Sequence, residues 1–145
     1  YHDEVGYNYR LVNVLAAIGV AQMELLPSFI KRKKEIVDFY KKELTGVADI
    51  RFQKELPEVN ANGWLFTIQT EQQQQLLDYL NENKILSRRF WMPMNKLPMY
   101  NECIYINNKD NSDYIYNTCL SIPSSTSITD EELAIVVKEI RDAIG

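Results

Sequence analysis

The sequence predicts an α/β fold: one long kinked helix, then a small α/β lobe in which a short, mostly antiparallel sheet carries helices on one face. Three observations point there. Apolar residues recur at helical spacing from about Asn13 toward Leu44. Trp64-Leu65-Phe66-Thr67-Ile68-Gln69 alternates with a period of two. Thr129-Asp130-Glu131-Glu132 opens a last amphipathic segment with the side chains of a helix start. Strand, helix, strands, helix after one long helix is the order of a layered lobe. The expected organisation is an entry loop over 1–12, a connecting helix over 13–45 and the lobe over 46–145.

In the long helix Val14, Ile18, Ala21 and Leu25 form one apolar stripe, and Leu11, Leu15, Met23, Leu26 and Ile30 another. A helix apolar on two sides expects cover from two directions. Asn13 is a candidate N-cap. Pro27 is a point of kink or break, because it lacks an N–H and crowds the preceding turn. Beyond it Ile30, Val37, Tyr40 and Leu44 keep the helical spacing. The run Lys31-Arg32-Lys33-Lys34 reads as a solvated face beside Glu35, Asp38 and Glu43, with diphosphate attraction as the other reading. Thr45-Gly46 ends the helix, Gly46 being the candidate left-handed residue.

A half-buried strand follows at Trp64–Gln69. Glu71–Asn83 reads as a helix turning Leu76, Leu77 and Leu80 inward and Gln72–Gln75 outward. Ile85–Arg89 is a short edge strand. Residues 92–113, rich in Pro, Asn and Asp, read as a long loop of the sort that serves a site. Cys119–Ile122 is the last strand, ended by Pro123, and Pro123-Ser124-Ser125 shapes the turn after it. Thr129 and Glu132 form a capping box, and the acids of that turn complement the helix dipole. Leu133, Val136, Val137 and Ile140 give the last helix its core face.

Composition narrows the function classes. The chain has 145 residues, 46% hydrophobic and 25% charged, with a formal charge of −4. That charge argues against nucleic acid as a partner. No apolar run approaches the roughly 20 residues of a membrane span, and no signal peptide opens the chain, so a cytoplasmic protein without a membrane partner is expected. Cys103 and Cys119 lie far apart with no metal-type spacing, and read as reduced thiols; a disulfide stays open. Walker, Rossmann and nucleophile-elbow motifs are absent, as is a zinc-ligand cluster. His2, the single histidine, stands at the chain end, and no Ser-His-Asp relay is assigned to it. No catalytic residue and no metal ligand is nominated.

Two constellations carry binding chemistry. Asn8 and Arg10, in Gly6-Tyr7-Asn8-Tyr9-Arg10-Leu11-Val12-Asn13, stand just before a helix start, where backbone N–H groups and the dipole favour an anion. An arginine fork holds phosphate or carboxylate at two points and an Asn amide adds a neutral donor. The same residues also read as packing tyrosines and a surface charge. The second set is Arg88, Trp91, Asn95, Pro98 and Tyr100. An arginine suits a diphosphate and a ring face suits a base or sugar, while core packing is the other reading of Trp91 and Tyr100. Trp64 reads as a core residue outside the site.

Five pieces in one order carry a resemblance: Gly6–Arg10, Ala16-Ala17-Ile18-Gly19-Val20-Ala21-Gln22, Arg88…Trp91, Lys96-Leu97-Pro98-Met99-Tyr100 and Pro123-Ser124-Ser125. Together they resemble the C-terminal part of the DegT/StrS family of pyridoxal-phosphate (PLP)-dependent sugar aminotransferases. The likeness is closest to 4-aminating members of legionaminic acid and bacillosamine pathways, through His2-Asp3-Glu4-Val5-Gly6 and Lys96–Tyr100. It implies the small C-terminal domain of a fold-type-I PLP enzyme, with glutamate as amino donor, a nucleotide-linked 4-keto sugar as acceptor, and a homodimer sharing its sites. It also implies that the PLP lysine and the acid facing the pyridine nitrogen lie in a large N-terminal domain. With no initiator methionine and a two-sided apolar helix, the chain is expected to be a fragment, inactive alone, of an enzyme of surface polysaccharide biosynthesis. By the same resemblance Asn8 binds the PLP phosphate of the other subunit. Arg10 assists there or at the donor carboxylate, and Arg88, Trp91 and Tyr100 lie by the sugar-nucleotide entrance. Many relatives carry histidine where Asn95 stands, which leaves no titratable group at that position. A PLP-dependent dehydratase and a non-catalytic regulatory relative are the alternatives.

Overall fold

The computed structural model describes residues 11–145, so Asn8, Arg10 and the rest of the lead-in lie outside the described residues. Helix α1 runs Asn13–Leu44, with strand β1 at Arg51–Phe52, β2 at Phe66–Gln69, α2 at Gln73–Glu82 and β3 at Arg88–Arg89. Two 3₁₀ turns, Met94–Lys96 and Pro98–Tyr100, precede α3 (Asn111–Thr118), β4 (Cys119–Ile122) and α4 (Asp130–Ile144). The strands form one sheet in the order β1-β2-β4-β3, every pair antiparallel.

The register sorts the sheet into two faces. Phe52, Ile68 and Leu120 stand opposite one another, and with Phe66 and Ile122 they form the apolar face. Ile36, Tyr40 and Leu44 of α1, Leu76 and Leu80 of α2, and Leu133, Val136, Val137 and Ile140 of α4 cover it. Full burial of each such side chain contributes about 1.5–3 kcal/mol. The other face carries Gln69, Thr67, Ser121, Cys119 and Arg88. Alternation along strands makes these two faces inevitable once one is apolar.

The last helix starts as the sequence predicts: the Thr129 hydroxyl accepts the Glu132 N–H (3.1 Å) and the Glu132 carboxylate accepts the Thr129 N–H (2.8 Å). Gly46 takes φ +81° just past α1, the left-handed conformation its lack of a Cβ permits. Cys103 and Cys119 are both free thiols.

Several expectations need correction. Val12, with no side-chain cap bond, occupies the N-cap position of α1, and Asn13 is already helical. Pro27 does not break the helix, which runs 32 residues through it. The Gln72–Gln75 tract is not simply an outward face. Gln73 is buried and its amide donates to the carbonyls of Cys119 (3.1 Å) and Tyr116 (3.4 Å), so α2 is sewn to the α3–β4 junction. Strand β1 and helix α3 were not predicted, and the supposed 92–113 loop holds the two 3₁₀ turns and the start of α3.

The amino-terminal half of α1 stands apart from the core. Leu15, Ile18, Val20, Met23 and Leu25 are all exposed. Contrary to the sequence expectation, an 18-residue window of this helix has a mean hydropathy of 1.4, long and apolar enough to cross a membrane by length and composition. Counting contiguous apolar runs missed it because Gly19, Gln22 and Glu24 interrupt the run without making the helix polar.

Candidate functional site

Helix α1 sets the geometry of the site by stitching itself to the β4–α4 connection. Tyr40 and Lys33 are seven residues apart, two turns along one face. Pro123 ends β4, so the carbonyls after it have no strand partner, and α1 supplies the donors. The Tyr40 phenol donates to the Pro123 carbonyl (2.7 Å), and the Lys33 ammonium donates to the next one, that of Ser124. Arg32 donates to the Ile128 carbonyl (2.6 Å) and pairs with Asp130 (2.9 Å). Burial pushes the Tyr40 phenol above its ordinary range and the Lys33 ammonium below its own. The basic run is therefore only partly the solvated face the sequence predicts. Lys31 and Lys34 are exposed, whereas Arg32 and Lys33 are half-buried crosslinks. The legible signal was Lys33 lying three residues before Ile36, on the stripe that continues to Tyr40 and Leu44.

Lys33 also donates to the Trp64 carbonyl (2.8 Å), and the Trp64 N–H donates to Asn62 (3.0 Å). This fixes the backbone just before β2. The Trp64 indole then lies on that of Trp91, with centroids 6.3 Å apart and planes 26° from parallel, while Phe90 meets Trp91 edge-on at 4.8 Å. The pairing is of the offset kind that aromatic quadrupoles favour. Trp64 and Trp91 nevertheless remain 67% and 61% exposed. Trp64 is thus not the core residue the sequence suggested: it belongs with Trp91.

Arg88 sits on edge strand β3, exposed, opposite Ser121, which stands opposite Thr67. The Thr67 and Ser121 hydroxyls bond each other (3.0 Å). Among the described residues no carboxylate pairs with Arg88. Its neighbour Arg89 is occupied, bonded to Gln74 and lying over the Tyr116 ring (5.2 Å). Asn95 and Tyr100 line one cavity of 390 Å³ with Pro93, Met94 and Tyr105, and Pro98 opens the 3₁₀ turn that carries Tyr100. A second cavity, of 410 Å³ between α1 and residues 52–67, holds none of the predicted residues. The predicted set is thereby divided: Trp91 joins Trp64, Asn95 joins Tyr100, and Arg88 lies on the polar sheet face.

A long helix leading into a lobe of helices packed on a four-stranded antiparallel sheet is a fold found in sugar aminotransferases. Helicobacter pylori PseC, an aminotransferase of pseudoaminic acid biosynthesis, superimposes with a TM-score of 0.86 over 98% of this chain and 40% of its own, at 16% identity. DesV of S. venezuelae does so with a TM-score of 0.85 over 98% and 39%, at 21% identity. The chain belongs to the DegT/DnrJ/EryC1/StrS aminotransferase family, whose model matches residues 1–141. It is 33% identical to the GDP-perosamine synthase of Escherichia coli O157:H7 over 98% of its length, and 34% identical to that of Vibrio cholerae over 99%. It is 26% identical to the dTDP-4-amino-4,6-dideoxy-D-glucose transaminase of Escherichia coli over 97%. The chain spans 39% of the length of each of these three relatives.

Proposed function

We propose that this chain is the C-terminal part of a PLP-dependent aminotransferase that moves the amino group of glutamate to a nucleotide-linked 4-keto sugar for surface polysaccharide. The observation that carries the reading is the family match along nearly the whole chain. In this reading residues 46–145 are the small domain and the exposed half of α1 lies against the remaining length of a cytoplasmic homodimer.

The donor set fits the roles it is given. Asn8 and Arg10 supply an amide and a guanidinium, the donor types that hold a cofactor phosphate. The lysines at Lys33, Lys41, Lys96 and Lys138 are each bonded to carbonyls or carboxylates, so none of these is nominated as the cofactor's covalent anchor. When bound, PLP would supply the electron sink and carry the amino group between the two half-reactions. The chain's own residues bind and orient. Arg88 would offer its guanidinium to the diphosphate, and Trp91 and Tyr100, on separate surfaces, would offer ring faces to the base and sugar.

Visible absorbance of the whole enzyme, before and after glutamate, tests the proposal. A bound-PLP band that converts to the pyridoxamine form, and reverts on adding a 4-keto nucleotide sugar, is the expected result. A PLP band indifferent to glutamate would place the chain in a dehydratase, and the lack of any band would point to a binding protein. Turnover by the 145-residue chain alone would overturn the fragment reading.

A further inference from the structure

We propose that Lys33 is a positioning residue for nucleotide recognition: its ammonium, held by the carbonyls of Trp64 and Ser124, fixes the Trp64–Trp91 pair as the surface on which the nucleotide base stacks. The inference rests on the sugar-nucleotide reading above and adds two residues to it, Lys33 and Trp64.

Three observations carry it. First, the pair is costly where it stands. Two indoles that bury much of their area elsewhere in proteins are here more than three-fifths exposed, though stacked on each other. A planar ligand on Trp64 would extend the stack and cover that surface. Base–aromatic stacking is tolerant of base identity, so this contact supplies affinity and leaves the choice of nucleotide to other groups.

Second, the pair joins two segments that the sheet keeps apart. Trp64 precedes β2 and Trp91 follows β3, and β4 separates those strands in the sheet. Trp91 gains its orientation from the edge of Phe90. Trp64 gains its own from the backbone, through its carbonyl to Lys33 and its N–H to Asn62.

Third, the tether is rigid. Lys33 is half-buried on the core stripe of α1, and its second bond, to the Ser124 carbonyl, ties the Trp64 backbone to the turn after β4. Gly63 takes φ +64°, and a Cβ there would meet Val37 Cγ2 at 2.9 Å, so the chain entering Trp64 lies directly on α1. A lysine bonded to two carbonyls, with no carboxylate partner among the described residues, acts here as a bracket between the two backbones.

Trp64 and Trp91 are the only tryptophans of the chain, so their exciton couplet in the circular dichroism spectrum reads the pair directly. In the whole enzyme it is isolated as the difference between the wild type and Trp64→Phe. Lys33→Met is expected to abolish this couplet with helical ellipticity unchanged, and Lys33→Arg to retain it. Titration with GDP, UDP and dTDP, followed by tryptophan quenching, is expected to show about tenfold weaker binding for Lys33→Met and Trp64→Ala. A couplet that survives Lys33→Met would overturn the positioning role. Unchanged nucleotide affinity in Trp64→Ala would overturn the stacking role. Should Lys33→Met fail to fold, Lys33→Gln is read in the same way, with a weakened couplet expected and an intact one refuting. Glutamate-dependent absorbance provides the separate control. Its absence alongside a normal couplet and normal nucleotide binding strikes the aminotransferase reading and leaves the bracket standing.

Discussion

Replacing Tyr40 with phenylalanine isolates the contribution of one hydrogen bond to the clamp between α1 and the β4–α4 turn. The ring is fully buried against Phe66 (5.0 Å) and Phe39 (6.1 Å), and Tyr40→Phe leaves that packing in place. What it removes is the hydroxyl that donates to the Pro123 carbonyl at 2.7 Å. A part-buried acceptor left unpaired costs about 1–3 kcal/mol. With an unfolding entropy of about 2.1 cal/mol/K per residue, 145 residues give about 0.3 kcal/mol/K, so the melting temperature should fall by about 3–10 °C. Alkaline unfolding provides a second reading. Burial holds the Tyr40 phenol above its ordinary value of 10.0, so the unfolded state releases this proton first as pH rises. Stability tied to Tyr40 is thus complete below pH about 10 and lost above it. Urea midpoints across that range should fall less in Tyr40→Phe than in the wild type. A melting temperature within 1 °C of wild type, together with an unchanged alkaline limb, would refute the claim that this bond matters to the clamp.

Two further outcomes follow from local geometry. Gly63→Ala forces a Cβ against Val37 at φ +64° and should destabilise the chain by about 1–3 kcal/mol while disturbing the tryptophan couplet, measured by urea denaturation and dichroism on one sample. Asp49 accepts the Glu71 N–H (2.8 Å) and the Thr70 hydroxyl, which hold its carboxyl below the ordinary 3.8; its stabilisation is present above pH about 4 and lost as pH falls through the depressed value. Asp49→Asn should therefore flatten the acid limb of the stability curve, and an acid limb identical to wild type would count against this assignment.

The elements that were legible in sequence are those whose signal is local. Thr129 and Glu132 announce a capping box within four residues, and the structure contains it. Cys119–Ile122 is bounded by Pro123 and matches residue for residue. The missed pieces depend on partners far along the chain. Strand β1 is two residues long and exists because Arg51 and Phe52 meet Gln69 and Ile68. Helix α3 is short and its Tyr-, Asn- and Asp-rich sequence carries no clean apolar stripe, so its turns are fixed by the Asp110 cap and by docking beside α2. The same reason hid half of the candidate site. Arg88, Trp91 and Tyr100 lie within a 13-residue stretch and could be read together. Trp64 stands 27 positions before Trp91 and Lys33 stands 31 before Trp64, and only the fold brings each pair into contact.

Helix α1 has a mechanical consequence. Its 32 residues extend about 48 Å, yet its buried anchors are Ile36, Tyr40 and Leu44, all in the last third. The 18 residues from Asn13 to Ile30 form an arm of about 27 Å beyond that mounting. A tilt of about 5° at the mounting carries the far tip through about 2 Å, enough to make or break a hydrogen bond there. The clamp of Arg32, Lys33 and Tyr40 is thus the fulcrum of a lever. A small slackening at the Pro123–Ser124 turn arrives magnified at the amino-terminal end of α1.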